Sequence, residues 1–254
     1  MDPEFARRIL GWKHSRGGLL VANIADSASE TSRSISSHML AVLGVAEGLA
    51  TGAPDTASGR PLETEVALDL GRDLASRDSS RAMQVLDTPG DVSNYVQYSH
   101  LKRVDELSKA SPELRITLGT DYLIKPDVVV VLPGREGELP FLHAVISCKW
   151  TIRSDRVQNI RHEYNLLVRH RRERLPHLVT VTAEPMPTRL AAIARGTGEV
   201  DATYHVAFHA LDDSLRHLSA NGTLPLEQLD AWNEVVGQGR VRPYSELAAT
   251  LLRW

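Results

Sequence analysis

Apolar and polar positions are most clearly patterned between Ile124 and Glu163, IKPDVVVVLPGREGELPFLHAVISCKWTIRSDRVQNIRHE. Val128 to Leu132 is a β-branched run bounded by Pro126 and by Pro133-Gly134, and Leu142 to Trp150 is a second apolar run ended by polar residues. Both predict strands, joined by the turn-rich segment Pro133 to Pro140. Side chains alternate along a strand, so Val145, Ser147 and Lys149 share one face of the second strand, and Ile146, Cys148 and Trp150 the other. After Trp150 the period changes. Val157, Ile160, Tyr164, Leu167 and Val168 recur at helical spacing, with Ser154 as the expected cap and Glu163 on the flank of the stripe.

The rest of the chain supplies helices and further strands. Met1 to Gly18 is mostly polar and basic and leads into the short apolar patch Leu19 to Ile24. A helix is expected from Ser32 to about Leu49, with Ile35, Met39, Leu40 and Leu43 as its apolar face. Thr51 to Arg60 reads as a loop, and Pro61 suits the first turn of a helix carrying Leu62, Val66, Leu70 and Leu74. Turn signals at Thr88-Pro89-Gly90 and Ser111-Pro112 bracket a helix from about His100 to Leu107. Nearby, Tyr95, Tyr98, His100, Lys102 and Arg103 are either contacts to a nucleic-acid backbone or scattered surface residues. Downstream, Leu178 to Thr182 predicts a third strand, Ala183 to Pro187 a rigid loop, Thr188 to Ala194 a helix and Tyr204 to Phe208 another strand. Amphipathic segments follow near Leu211 to Leu218, Leu224 to Val236 and Tyr244 to Leu252. This order predicts a mixed α/β core with helices on its faces. No repeat, zinc finger, P-loop or GxGxxG pattern occurs, so no nucleotide cofactor is expected.

Composition changes this picture in a few places. A chain of 254 residues with 42% apolar content can build one large core or two modest ones. A net charge of −3 gives no global attraction to a polyanion, yet Lys149 to Arg174 holds eight basic residues against three acids, a patch able to steer one. Only five of the 29 basic residues are lysines; arginine suits forked contacts to phosphate and guanine, although a compositional bias of the source genome gives the same count. The single cysteine, Cys148, excludes an intrachain disulfide framework and a thiolate metal cluster, and its alternation away from Lys149 predicts a buried structural residue. Neither a signal peptide nor an apolar span of membrane length is evident, so a cytoplasmic protein without a membrane partner is expected.

The candidate chemistry lies in Asp127 at the start of one strand, Lys149 at the end of the next, and Glu163 on the basic helix. Carboxylates of this kind can bind one or two Mg²⁺ ions, which prefer hard oxygen ligands, to stabilise charge on a phosphate and lower the pKa of an attacking water. Lys149 would stand by the phosphate as a point charge or water-orienting group. The plainer alternative has Asp127 capping a turn, Lys149 extending its stem toward solvent and Glu163 paired to an arginine.

Pro126-Asp127, Ser147-Cys148-Lys149 and Glu163, together with SCKWTIRSDR and VTAEPMPTR, resemble the NgoMIV-type, CCGG-core group of restriction endonucleases within the PD-(D/E)xK nuclease superfamily. The resemblance covers roughly Ile124 to Tyr204 and, more loosely, the N-terminal third. In that variant the acid usually found two residues before the lysine is replaced by a glutamate from the following helix. Ser147 occupies the vacated place and Glu163 matches the relocated acid. The resemblance implies a restriction-endonuclease-like α/β fold, a mixed central sheet flanked by helices, as one domain over residues 1–254 with 124–209 as its catalytic core. It implies a type II enzyme that uses Mg²⁺ to hydrolyse double-stranded DNA, with Asp127, Lys149, Glu163 and Glu63 catalytic. Asp127 and Glu163 are the implied metal ligands, with the backbone carbonyl of Cys148 as a further candidate, and Glu65 competes with Glu63 for the place of the accessory acid on an N-terminal helix.

Residue type also suits base reading: arginine grips guanine O6 and N7 and aspartate accepts from cytosine N4, so Arg153, Asp155 and Arg156 fit a G·C-rich target. An Arg–Asp–Arg salt-bridge cluster is the structural alternative. The resemblance assigns these three to a CCGG core, adds Arg189 as a DNA contact, and points to a palindrome of the GCCGGC kind. A palindrome implies a two-fold assembly; the resemblance points to a homodimer or homotetramer, and a monomer that dimerises only on DNA is the alternative. Two other readings share these residues: a repair or recombination nuclease that responds to DNA structure, and a catalytically silent DNA-binding module.

Overall fold

The computed structural model describes residues 1–15, 17–46, 54, 56–118, 124–196 and 198–253. The chain opens with helix α1 (Glu4–Ile9), an antiparallel pair β1 (Trp12–His14) and β2 (Leu20–Ala22), and helix α2 (Glu30–Val42). Helix α3 (Arg60–Arg77) precedes strand β3 (Gln84–Leu86), and α4 (His100–Ala110) and α5 (Pro112–Leu118) follow. The centre of the fold is β4 (Val128–Leu132), β5 (Phe141–Lys149), α6 (Ser154–His170), β6 (His177–Thr182), α7 (Pro187–Ala194) and β7 (Ala202–His205). Helices α8 (Phe208–Ala220) and α9 (Leu226–Gly237), strand β8 (Val241–Pro243) and α10 (Leu247–Leu251) complete it.

Strands β3 to β8 form one sheet in sequential order. Its β3, β4 and β5 pair antiparallel, and β5 to β8 pair parallel. It is therefore a mixed α/β sheet, and its parallel half requires helical crossovers that cover both faces. Alternation sorts the strand residues into two cores. Val128, Val130, Ala144, Ile146 and Cys148 face a larger core built with α1, α2, α3, α8 and α10, whereas Val129, Val131, Leu142 and Val145 face a smaller one with α4 and α6. Leu142 and Val145 share a face, despite odd spacing, because a bulge shifts the register: Val130 pairs with Ala144 and Val131 with Leu142, leaving His143 as the extra residue. Below the bulge the predicted alternation holds, with Cys148 buried and Lys149 only partly so.

Several expected bounds change. Helix α2 stops at Val42, short of Leu49, and Gly44 follows it with φ +74°, a left-handed value suited to ending a helix. Leu49 itself, and residues 51–53 and 55 of the expected loop, lie outside the described residues. Strand β7 begins two residues before Tyr204 and ends at His205, and Phe208 opens α8. Ser154 is the first helical residue of α6; the cap position belongs to Arg153, without a side-chain capping bond. Tyr95 and Tyr98 are neither nucleic-acid contacts nor surface residues: both are buried in the smaller core, and the Tyr98 hydroxyl donates to the Leu167 carbonyl at 3.0 Å. Among the described residues no helix is long and apolar enough to cross a membrane.

Candidate active site

The pairing of β4 with β5 sets Val128 opposite Ile146, so Asp127, one residue earlier, lies opposite Ser147. Its Oδ2 accepts from Lys149 Nζ at 2.6 Å, from the Cys148 N–H at 2.8 Å and from the Ser147 hydroxyl at 3.3 Å. The hydroxyl standing in the vacated acid position thus orients the remaining aspartate without adding charge. Asp127 and Lys149 keep 22% and 27% of their side-chain surface exposed, enough for a substrate to reach them.

Helix α6 brings Glu163 to this edge. Its apolar stripe of Val157, Ile160, Tyr164 and Leu167 is buried against the smaller core, on the sheet face that carries Ser147 and Lys149. The buried Tyr164 hydroxyl accepts the Ser147 N–H at 3.0 Å and donates to the Val179 carbonyl, so the residue beside Glu163 is pinned to β5 and β6. Burial raises the Glu163 carboxyl pKa; Lys149 opposes the shift and Asp127 adds to it.

Glu63 arrives from the opposite side, in the first turn of α3. The Trp150 indole N–H donates to the Ser58 carbonyl at 2.8 Å, which ties the start of α3 to the end of β5. The Glu63 carboxylate folds back over Gly59, where its Oε1 lies close to the position a Cβ would take. Burial, followed by the charge of Asp127, raises the Glu63 carboxyl pKa, while Lys149 and Arg60 oppose the rise. Glu65 instead pairs with Arg8 at 2.7 Å. A cleft of about 340 Å³ is lined by Glu63, Lys149, Trp150, Asp155, Arg156 and Asn159.

Among the described residues, no three acidic, histidine or cysteine side chains close into a metal cage. A hard divalent cation does not require one: Mg²⁺ characteristically takes one or two protein carboxylates and completes its shell with water and phosphate oxygens. The donor set fits such an ion. Asp127 raises the pKa of both Glu63 and Glu163, so the three acids crowd one lysine with like charge that a cation would relieve.

The expected base-reading residues divide between two clefts. Asp155 and Arg156 share the first with Lys149, and Arg156 Nη1 donates to the Thr151 carbonyl at 2.8 Å and hydroxyl at 3.1 Å. Arg153 and Arg189 line a second cleft of about 220 Å³ between the start of α6 and α7. Arg189 pairs with Asp26 at 2.6 Å, and the Asp26 carboxyl pKa is lowered first by that hydrogen bond, with the charge of Arg153 among the lesser causes. Arg153 and Asp155 are exposed and do not form the Arg–Asp–Arg cluster among the ion pairs of the described residues. The exposed Arg169, Arg171, Arg172 and Arg174 lie at the far end of α6, roughly 24 Å from Ser154 at the helical rise per residue.

Sequence reasoning missed the supports of this site. Alternation places Trp150 only on a strand face and helical spacing places Tyr164 only on an apolar stripe, yet Trp150 anchors the start of α3, which carries Glu63, and Tyr164 anchors α6 beside Glu163. A lone acid within the apolar stretch VTVTAEPMP was the available signal for Glu184, which is wholly buried.

The sequence profile of the NgoMIV restriction enzyme family matches residues 6–136 and 132–251. The type II restriction enzyme NgoMIV of Neisseria gonorrhoeae is 39% identical over 186 residues, which are 63% of this chain and 63% of that enzyme. Less than two thirds of the relative's length is thus matched. Among solved structures, the Type IIF restriction endonuclease Bse634I with cognate DNA is 12% identical with a TM-score of 0.39, covering 83% of this chain and 97% of that one. The pre-specific restriction endonuclease BsaWI–DNA complex is 13% identical with a TM-score of 0.32, covering 59% and 52%. With the family profile spanning nearly the whole chain, this protein belongs to the NgoMIV restriction enzyme family.

Proposed function

We propose that this protein is a type II restriction endonuclease that hydrolyses double-stranded DNA at a palindromic CCGG-core site, GCCGGC, with Mg²⁺. The observation that carries the reading is one cleft with two kinds of wall. Lys149, fixed at 2.6 Å by Asp127, shares it with Asp155 and Arg156, residues of the types that read G·C pairs.

Asp127 and Glu163 would hold the ion, with the Cys148 backbone carbonyl as a further ligand. When bound, it supplies charge neutralisation at the phosphate and a lowered pKa for a coordinated water. Lys149 places a positive charge beside the phosphate and orients the nucleophile. Ser147 holds Asp127 in its rotamer through its hydroxyl, and Glu63, on α3, is the accessory acid. Arg153, Asp155, Arg156 and Arg189 contact the bases, and Arg189 must exchange its pairing with Asp26 for DNA. A palindrome needs one active site per strand, so the working form is a homodimer or homotetramer.

Incubation of plasmid DNA with the protein and Mg²⁺ tests all of this together. The expected result is discrete fragments whose ends map to one palindrome. Random nicking, or cutting governed by DNA structure, would overturn site-specific restriction; specific binding without cleavage would make the protein a silent DNA-binding module.

A further inference from the structure

One carboxylate stands outside this chemistry. Glu184, in the loop from β6 to α7, has no exposed surface. Its Oε2 accepts the Ile152 N–H at 2.6 Å and its Oε1 accepts the Met186 N–H at 2.9 Å, with Arg189 Nη1 3.9 Å away. Its own N–H donates to the Thr182 hydroxyl at 3.2 Å, and its carbonyl lies 3.1 Å from His205 Nε2. A buried carboxylate is costly unless its oxygens find donors; here they find the main chains of two separate segments.

Those segments are the two walls of the second cleft. Ile152 belongs to the link from β5 to α6, between Lys149 and Arg153, and Met186 occupies the cap position of α7, which carries Arg189. Arg153 and Arg189 line the cleft from its two sides. Glu184 thus braces both walls, and the Ala183 N–H bonded to the Trp150 carbonyl at 3.2 Å extends the brace toward the catalytic strand.

We propose that Glu184 is a positioning residue for base recognition, which sets the separation of Arg153 from Arg189 and fixes both relative to Lys149. This rests on the reading that the two arginines contact bases. Glutamine has the same shape but one acceptor oxygen, so Glu184→Gln satisfies one wall and turns an NH₂ group against the N–H of the other.

The test compares the full-length parent and Glu184→Gln at about pH 8, where the carboxyl, pushed by burial up to about 7, is mostly charged. Single-turnover cleavage is measured on the duplex defined by the parent's fragment ends and on duplexes with one core base pair changed, beside low-salt binding to unrelated DNA and thermal unfolding. The expected result is an about tenfold or greater narrowing of discrimination, with unrelated-DNA binding within about twofold of the parent. Unchanged discrimination, or an equal loss on every duplex, would remove the positioning role. Should Glu184→Gln fail to fold, Glu184→Asp, which keeps both acceptors on a shorter arm, is read the same way. If the parent itself cuts at no fixed sequence, the base-reading assignment fails; a selective parent with an equally selective variant removes only the role of Glu184.

Discussion

Asp127 and Glu184 both lie where the central strands β5 and β6 end, and both accept backbone N–H groups, yet they are arranged for opposite ends. Among the described residues, all donors to Asp127 converge on Oδ2, one of them the side-chain cation of Lys149, and the side chain stays partly exposed. Glu184 uses both oxygens on rigid main chain and has no exposed surface. An acid with an oxygen turned to other ligands can take a cation and a phosphate; an acid with both oxygens committed holds two segments together. On the proposed reading of Asp127 as a metal ligand, the pattern of committed lone pairs distinguishes it from Glu184.

The largest expected effect tests the reactive side of this contrast. Lys149→Ala or Asp127→Ala should slow single-turnover cleavage by about 10²–10³-fold or more, while specific binding, followed by gel shift, survives at least in part. Unchanged rates in both variants would reject the site.

The structural side is tested by pH. Burial raises the Glu184 carboxyl from 4.5 to about 7 and lowers the neighbouring His205 from 6.5 to about 4. Glu184 binds its proton more tightly when folded, so its contribution to stability falls as pH rises from 4.5 to about 7. His205 binds its proton less tightly when folded, so its contribution is complete above 6.5 and is lost as pH falls toward about 4. Each is worth about 3 kcal/mol at 1.36 kcal/mol per unit, and between pH 4.5 and 6.5 the two slopes oppose one another. Removing one should uncover the other. Relative to the parent, urea midpoints of Glu184→Gln should gain a rise with pH over this window, and those of His205→Gln a fall. Parallel profiles would show that neither group titrates as described.

Smaller effects sharpen the comparison further. Arg153→Ala should lose about 1–3 kcal/mol of base discrimination for each bidentate contact removed, measured as the ratio of binding constants on cognate and variant duplexes; equal weakening on both would assign it to the backbone. Smallest is Glu65→Gln, which breaks a pair to a half-exposed arginine and should cost at most about 1 kcal/mol of stability, with cleavage unaltered. Glu63→Gln, two residues away but facing Lys149 across the cleft, should slow cleavage in the same assay.

What the sequence made legible was the part governed by short periods. The run Val128 to Leu132 is β4 to the residue, α6 begins one residue before the start that a Ser154 cap implies, and the alternation of Ser147 and Lys149 against Cys148 survives in the fold. The edge strands β3 and β8 are three residues each, too short to carry a period, and Pro243 in β8 argues against a strand except at an edge. Strand β7 was misplaced because Val206, Ala207 and Phe208 prolong the apolar run past the point where the chain turns into α8. Tyr98 ends a short 3₁₀ turn and Tyr95 links it to the one before, a stretch without periodicity, so nothing local reveals that their rings enter the smaller core. The braces at Trp150 and Tyr164 are contacts between segments distant in sequence, with no local sign of them, whereas Glu184 is marked only as a lone acid in an apolar stretch, without its partners.

The bulge at His143 divides β5 into two halves that keep their own phase. Above it, the strand continues into the 133–140 turn; below it, the pairing of Val128 with Ile146 sets which side chains face α6. Insertions or deletions in that turn can therefore be absorbed at the bulge without turning Lys149 to the wrong side of the sheet. The spatial relation of Asp127 to Lys149 is thus set by the pairing below the bulge and not by the number of residues in the turn between them.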